Sequence, residues 1–278
     1  MTTIDHIELN NGVQVPQVGY GVFQIPDDET QAAVEKALAA GYRHIDTAAA
    51  YQNEAGVGAA IKASGLSRED IFVTTKLRNG EQGFDASLKA FDDSRRKLGL
   101  DVVDLYLIHW PVPSQDLYLE TWRAFEKLYA DGAVRAIGIS NFLPDHVARL
   151  VEHASVVPAV NQIELHPSYQ QPATQQVSRD AGIAVEAYAP IGQAQDLDHD
   201  AVTEAAEALD VSPGQIVLRW HIQNGTIVIP KSVTPHRIQS NLDVFSFELD
   251  EAQMKAITAL DTDERMFPDP QTADFTML

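Results

Sequence analysis

The sequence predicts an α/β fold, a (β/α)8 TIM barrel with an N-terminal β-hairpin and extra helices, on three observations. Short β-rich runs alternate with helical patterns along the chain, the signature of repeated βα units around a parallel sheet. The length of 278 residues is close to the ~250 residues of one such barrel. Polar side chains recur at the C-terminal ends of successive apolar runs, and in a barrel those ends share one rim, so residues roughly thirty positions apart can meet. No Pro/Gly/Ser linker, low-complexity stretch or sequence repeat divides the chain, and residues 1–278 read as one domain.

Taken in order, Ile4 to Val15 alternates apolar and polar residues around Asn10-Asn11-Gly12, a turn sequence, and reads as a hairpin outside the barrel. Barrel strands are expected near Gln17 to Gly21, Tyr42 to Asp46, Ile71 to Thr75, Val103 to Ile108, Val134 to Ser140, Ala159 to Gln162, Ile183 to Ala187 and Thr226 to Ile229. Between them lie helical patterns. Thr30 to Ala40 places Ala33, Val34, Ala37 and Leu38 at helical spacing and stops at Gly41. Phe84 to Leu98, Leu117 to Ala130, Leu143 to His153 and Gln171 to Asp180 follow the same logic, with extra helices at Asp200 to Leu209 and Glu251 to Leu260.

Composition narrows the function classes. Hydrophobic content of 45% and charged content of 22% are ordinary globular values and argue against disorder, a coiled coil or a fibre. No apolar run is long enough to span a bilayer, and Met1 to Glu8 has neither a basic lead nor an apolar core, so a cytoplasmic location is expected. The absence of cysteine excludes disulfides, thiolate catalysis and cysteine-ligated metal. A formal charge of −20 disfavours nucleic acid and anionic membranes as partners. That acidity fits plain solubility and equally a salty environment. Between Asp210 and Asp243 no acidic residue occurs, while Arg219, Lys231 and Arg237 do, a gap that a polyanionic small ligand would need. The histidines lack metal-ligand spacing and there is no Gly-x-Ser-x-Gly elbow, so neither a metal nor a serine nucleophile is expected.

Asp46, Lys76 and His109 stand where apolar runs give way to loops, and Tyr51 lies in the loop after Asp46. Singly, each residue is more often structural; together, an acid, an amine, an imidazole and a phenol on one rim make an active site. Further strand ends carry Ser140, Asn141, Gln162, Tyr188, Lys231 and Ser232. His44 reads as core.

Six ordered segments carry a resemblance: Gly41-Tyr42-Arg43-His44-Ile45-Asp46-Thr47-Ala48 with Tyr51, Thr75-Lys76-Leu77, Asp104-Leu105-Tyr106-Leu107-Ile108-His109-Trp110-Pro111, Ile137-Gly138-Ile139-Ser140-Asn141-Phe142, Asn161-Gln162-Ile163-Glu164-Leu165-His166-Pro167, and Ile229-Pro230-Lys231-Ser232. Over essentially its whole length the chain resembles an aldo-keto reductase of the compact prokaryotic branch that includes 2,5-diketo-D-gluconate reductases. The resemblance implies reversible hydride transfer between NADPH and a small-molecule carbonyl. Tyr51 would donate the proton, with Lys76 lowering the pKa of its phenol, Asp46 holding Lys76, and His109 aligning the carbonyl. Ser140, Asn141 and Gln162 would meet the nicotinamide carboxamide and Tyr188 would lie under the ring. Lys231, Ser232, Val233 and Arg237 would surround the 2′-phosphate, favouring NADPH over NADH, with Asn241 on the adenine and His236 at the edge of the phosphate site. Gly21, Val22 and the Gly192 loop would flank the cofactor, and Phe23, Arg78 and Trp110 the substrate. Arg78 stands where many relatives have tryptophan, and Ser240 where many have a glutamate contacting the adenine. Arg78 either pairs with a substrate carboxylate or turns to solvent beside Glu81.

Short rim loops suggest a monomer with an open pocket. No Rossmann fingerprint is present, since Gly19-Tyr20-Gly21 and Gly56-Val57-Gly58 lack a third glycine in register. The competing readings are a catalytically silent NADPH-binding regulatory protein on the same scaffold and a barrel hydrolase using Asp46 and His109. The hydrolase leaves Lys231, Arg237 and the polar strand ends without a task.

Overall fold

The computed structural model describes residues 4–276. A hairpin of β1 (His6–Glu8) and β2 (Gln14–Pro16) pairs Ile7 with Val15. Its Leu9 and Val15 are buried against Phe72, Leu105, Leu107 and Val160, so it plugs the N-terminal end of the barrel from outside the barrel sheet.

The barrel strands follow one another around the sheet in sequence order, each parallel to its neighbour: β3 (Tyr20–Gly21), β4 (His44–Asp46), β5 (Phe72–Leu77), β6 (Val103–Ile108), β7 (Val134–Ser140), β8 (Val160–Glu164), β9 (Ala184–Tyr188) and β10 (Ile227–Val228). A parallel bridge from Val18 to Val228, with Gly19 N donating to Val228 O at 2.8 Å, joins the last strand to the first. These strands are buried on both faces, which is why they read as near-continuous apolar runs. In β6, Leu105 and Leu107 fill the interior while Tyr106 and Ile108 pack outward with the main core. His44 is buried core, bonded to Thr74 at 3.0 Å.

Eight helices cover the outside: α1 (Asp27–Ala40), α2 (Glu54–Ala63), α3 (Phe84–Leu98), α4 (Tyr118–Ala130), α5 (Pro144–His153), α6 (Pro172–Asp180), α8 (Pro213–Gln223) and α9 (Pro235–Leu242). Two more are extra, α7 (Asp200–Leu209) and α10 (Glu251–Thr258), both at their expected places. The sequence pattern singled out neither α8 nor α9 nor α2. Gly56 and Gly58 weaken its helical propensity, but a Cβ at Gly58 would lie 2.3 Å from Leu98 O, so glycine there is the condition for α2 to pack on α3. Among the described residues no helix is long and apolar enough to cross a membrane.

The rim is less open than the short loops suggested. Past α10 the chain returns across it, with Met266 N and Phe267 N donating to the Glu164 carboxylate at 2.6 and 3.3 Å. Farther on, Asn79 donates to Phe275 O at 3.0 Å, and Phe275 meets Trp110 edge-on at 5.1 Å.

Candidate active site

The C-terminal strand ends bring the four candidate catalytic residues together. Asp46 ends β4. Lys76 lies inside β5, one residue before its end, because that strand runs two residues past the expected Thr75. His109 follows β6 directly, and Tyr51 sits on a single 3-10 turn, Ala49–Tyr51, rather than in irregular loop. Lys76 is fully buried; its Nζ donates to Asp46 Oδ1 at 2.6 Å and to Thr47 O at 2.9 Å, and lies 3.5 Å from the Tyr51 hydroxyl. The Tyr51 and His109 rings meet edge-on with centroids 5.7 Å apart.

Their electrostatics follow from depth. Burial works against the Lys76 charge, but Asp46 and Tyr51 outweigh it and hold its pKa above the usual lysine range, so the ammonium persists. Burial, and then the neighbouring Lys76 charge, push His109 well down, leaving a neutral imidazole. Tyr51 departs from expectation: burial raises its pKa, and Lys76 offsets only part of that rise. The expected net lowering is therefore corrected, because desolvation of the phenolate exceeds its attraction to the ammonium. At neutral pH Tyr51 is a phenol with its proton in place.

A cavity of about 120 Å³ opens over this quartet. Its walls include Gly21, Phe23, Trp110, Ser140, Asn141, Gln162, Tyr188 and Lys231 from the expected set. Phe267 and Pro268 also line it. Sequence reasoning missed both, since they come from a non-periodic stretch held at the rim by long-range contacts with Glu164, Tyr169 and Tyr188. Arg78 is half-buried and is not part of the cavity wall.

The amide groups are oriented by the protein itself. Asn141, held at φ 64°, donates to His109 O at 2.9 Å and Ser140 Oγ at 3.2 Å, and its Oδ1 accepts from the Tyr188 hydroxyl at 2.8 Å. Gln162 Nε2 donates to Asp46 Oδ2 at 2.9 Å and to Glu186 Oε1 at 2.7 Å. Both side chains therefore spend their N–H groups within the protein, leaving for a ligand the Gln162 oxygen and the second lone pair of Asn141 Oδ1. Two acceptors beside the half-buried Tyr188 suit the –NH2 of a nicotinamide carboxamide.

From Lys231 in the cavity wall, the other expected cofactor residues continue outside it as a strip. Lys231, Val233, His236 and Arg237 are exposed, Ser232 is half-buried, and Asn241 lies one turn beyond Arg237 on α9. Ser232 O accepts from the Tyr20 hydroxyl at 2.6 Å, fixing the start of the strip. Val22 is buried, its N donating to Asp46 O at 3.1 Å. Arg219 does not join the strip: it is buried, donates to Val244 O at 3.0 Å and pairs with Glu248 at 3.4 Å.

Gly192, at φ 55°, stands beside a buried ionic cluster instead of lining the cavity; a Cβ there would lie 2.2 Å from Asp196 Oδ2. In that cluster His166 is flanked by Asp196 at 2.8 Å and Glu164 at 3.2 Å. Burial opposes its charge, but the two carboxylates push its pKa up to about 9. The cluster joins the Gly192–Asp198 segment to the one carrying Phe267.

A family model described as "Aldo/keto reductase family" matches residues 17–262. The chain is 52% identical over 270 residues to an aldo-keto reductase of Mycobacterium sp. (strain JLS), covering 97% of this chain and 98% of that one. It is 47% identical over 267 residues to the glyoxal reductase of Bacillus subtilis (strain 168), covering 96% of each. Among solved structures it resembles a variant of Gox0644 in complex with NADPH, with a TM-score of 0.95, 45% identity, and coverage of 99% of this chain and 100% of that chain.

Proposed function

The chain belongs to the aldo/keto reductase family, and from that premise we propose that it reduces small aldehydes and ketones, keto-sugars among them, with NADPH as hydride source and Tyr51 as proton donor. The observation that carries this reading is the Asp46–Lys76–Tyr51 chain of contacts at 2.6 and 3.5 Å under a cavity that His109 also lines.

The geometry supplies each part of a carbonyl reduction. The nicotinamide of NADPH, when bound, contributes the hydride. Gln162 and Asn141 would hold its carboxamide and Tyr188 its ring, while Lys231, Ser232, Val233 and Arg237 would surround the 2′-phosphate and Asn241 the adenine. Neutral His109 would donate a hydrogen bond to the substrate oxygen and orient the carbonyl. As negative charge grows on that oxygen, Tyr51 transfers its proton, and the Lys76 ammonium stabilises the phenolate left behind. Asp46 keeps Lys76 charged and aimed at Tyr51.

Phe23, Trp110 and Phe267 give the substrate end an aromatic wall. This favours compact, neutral carbonyl compounds, including α-oxoaldehydes of the kind named for the Bacillus relative. A panel of aldehydes, diketones and keto-sugars assayed by nicotinamide absorbance tests the reading. Turnover with NADPH supports it; NADPH binding without turnover on any of them would favour a silent, regulatory role.

A further inference from the structure

Glu186 is an acid where a barrel interior ordinarily carries an apolar side chain. It lies on β9, fully enclosed, opposite Ile227 of β10. Its Oε1 accepts from Gln162 Nε2 at 2.7 Å, while Oε2 is buried without a hydrogen-bond partner. Burial of such a group is costly, and an acid kept there needs a reason. Burial and the nearby Asp46 charge push its pKa up to about 8, against smaller opposing effects of Gln162 and Lys76, so at neutral pH it is mainly the uncharged acid.

Its side-chain hydrogen bond to Gln162 supplies the reason. An amide can be turned either way round, and Asp46 alone would fix one N–H of Gln162. With Glu186 accepting the second, the –NH2 is held between two carboxyl groups, and the carbonyl of this cavity-wall residue is left over as an acceptor. We propose that Glu186 is a positioning residue of the cofactor site, which locks the Gln162 amide so that its oxygen accepts from the nicotinamide carboxamide. This rests on the cofactor reading above. Glu186 itself is not part of the cavity wall. It works through Gln162, and its loss should be felt in cofactor affinity ahead of the chemical step.

The test is a cycle of variants on the whole protein, with NADPH affinity measured by fluorescence titration and kcat measured at saturating NADPH. One neutral hydrogen bond corresponds to an affinity change of about threefold to tenfold. Glu186→Leu should weaken NADPH by that factor with kcat little changed. Glu186→Gln, whose carbonyl can still accept from Gln162, should restore the affinity. In a Gln162→Leu background, Glu186→Leu should cost nothing further, because the partner it acts through is gone. If Glu186→Leu does not fold, Glu186→Met, flexible and similar in length, takes its place in the cycle. Unchanged affinity in Glu186→Leu, equal losses in the Leu and Gln variants, or a full additional loss in the Gln162→Leu background would each overturn the proposal. A parent protein that neither binds nor oxidises NADPH would overturn the cofactor reading and this one with it.

Discussion

Replacing Lys76 by methionine removes the ammonium and keeps the length of the side chain. Two consequences can be sized from the geometry. The first is stability: Asp46 would stay buried with Gln162 as its remaining side-chain donor, and breaking a buried pair by removing one partner costs about 3–5 kcal/mol. For a chain of this size that lowers Tm by roughly 5–15 °C. The second concerns the phenol. An ammonium 3.5 Å from the Tyr51 oxygen stabilises a phenolate by about 4–5 kcal/mol at an effective dielectric constant of about 20. A transition state with the proton half transferred would lose about half of that, a rate loss of roughly 30- to 70-fold. Because Tyr51 already has a raised pKa, the variant raises it further. Reduction needs the phenol and oxidation the phenolate, so the falling limb of the reduction profile and the rising limb of the oxidation profile should both move to higher pH. Steady-state assays in both directions across the neutral and alkaline range would read this. A loss below tenfold with profiles superimposable on the parent's would refute the coupling.

Arg237→Ala should weaken NADPH by about 1–3 kcal/mol and leave NADH nearly untouched, because only the former carries a 2′-phosphate; equal effects on both cofactors would remove Arg237 from the phosphate site. His166→Gln should lower Tm more at mildly acidic than at strongly alkaline pH. The folded pKa is raised from 6.5 to about 9, so the stabilisation is complete below 6.5 and is lost as pH rises through 9. A pH-independent difference in calorimetry would show that the imidazole charge contributes nothing. Arg78 lies outside the cavity wall, so Arg78→Trp should leave the ratio of kcat/KM for matched carboxylated and neutral carbonyls unchanged. A fall in that ratio would restore Arg78 to substrate selection.

The barrel was legible because its strands are buried on both faces and its helices on one, two patterns that a single chain displays openly. The quartet was legible for a related reason: Asp46, Lys76 and His109 interrupt apolar runs where each strand meets the rim. Helix α2 was hidden by Gly56 and Gly58, which count against a helix locally and for it only once the contact with Leu98 is known. Glu186 sits in Ala184-Val185-Glu186-Ala187-Tyr188, where a polar residue reads as a solvent-facing position. Its inward aim depends on strand register around a closed barrel, and short sequence windows carry no trace of that. The same holds for Glu164 and Met266, joined across 102 positions, and for the His166–Asp196 pair. The Tyr51 pKa was misread because charge proximity is visible in a motif and depth is not.

The role of Tyr51 is tested most directly by a single-turnover reduction by protein preloaded with NADPH, comparing the parent with Tyr51→Phe. The variant should bind NADPH as the parent does and lose about 10²- to 10⁴-fold in the rate of cofactor oxidation, the usual range for a general acid. A loss under tenfold with cofactor fully bound would mean that the proton comes from elsewhere, and would contradict the central role given to Tyr51.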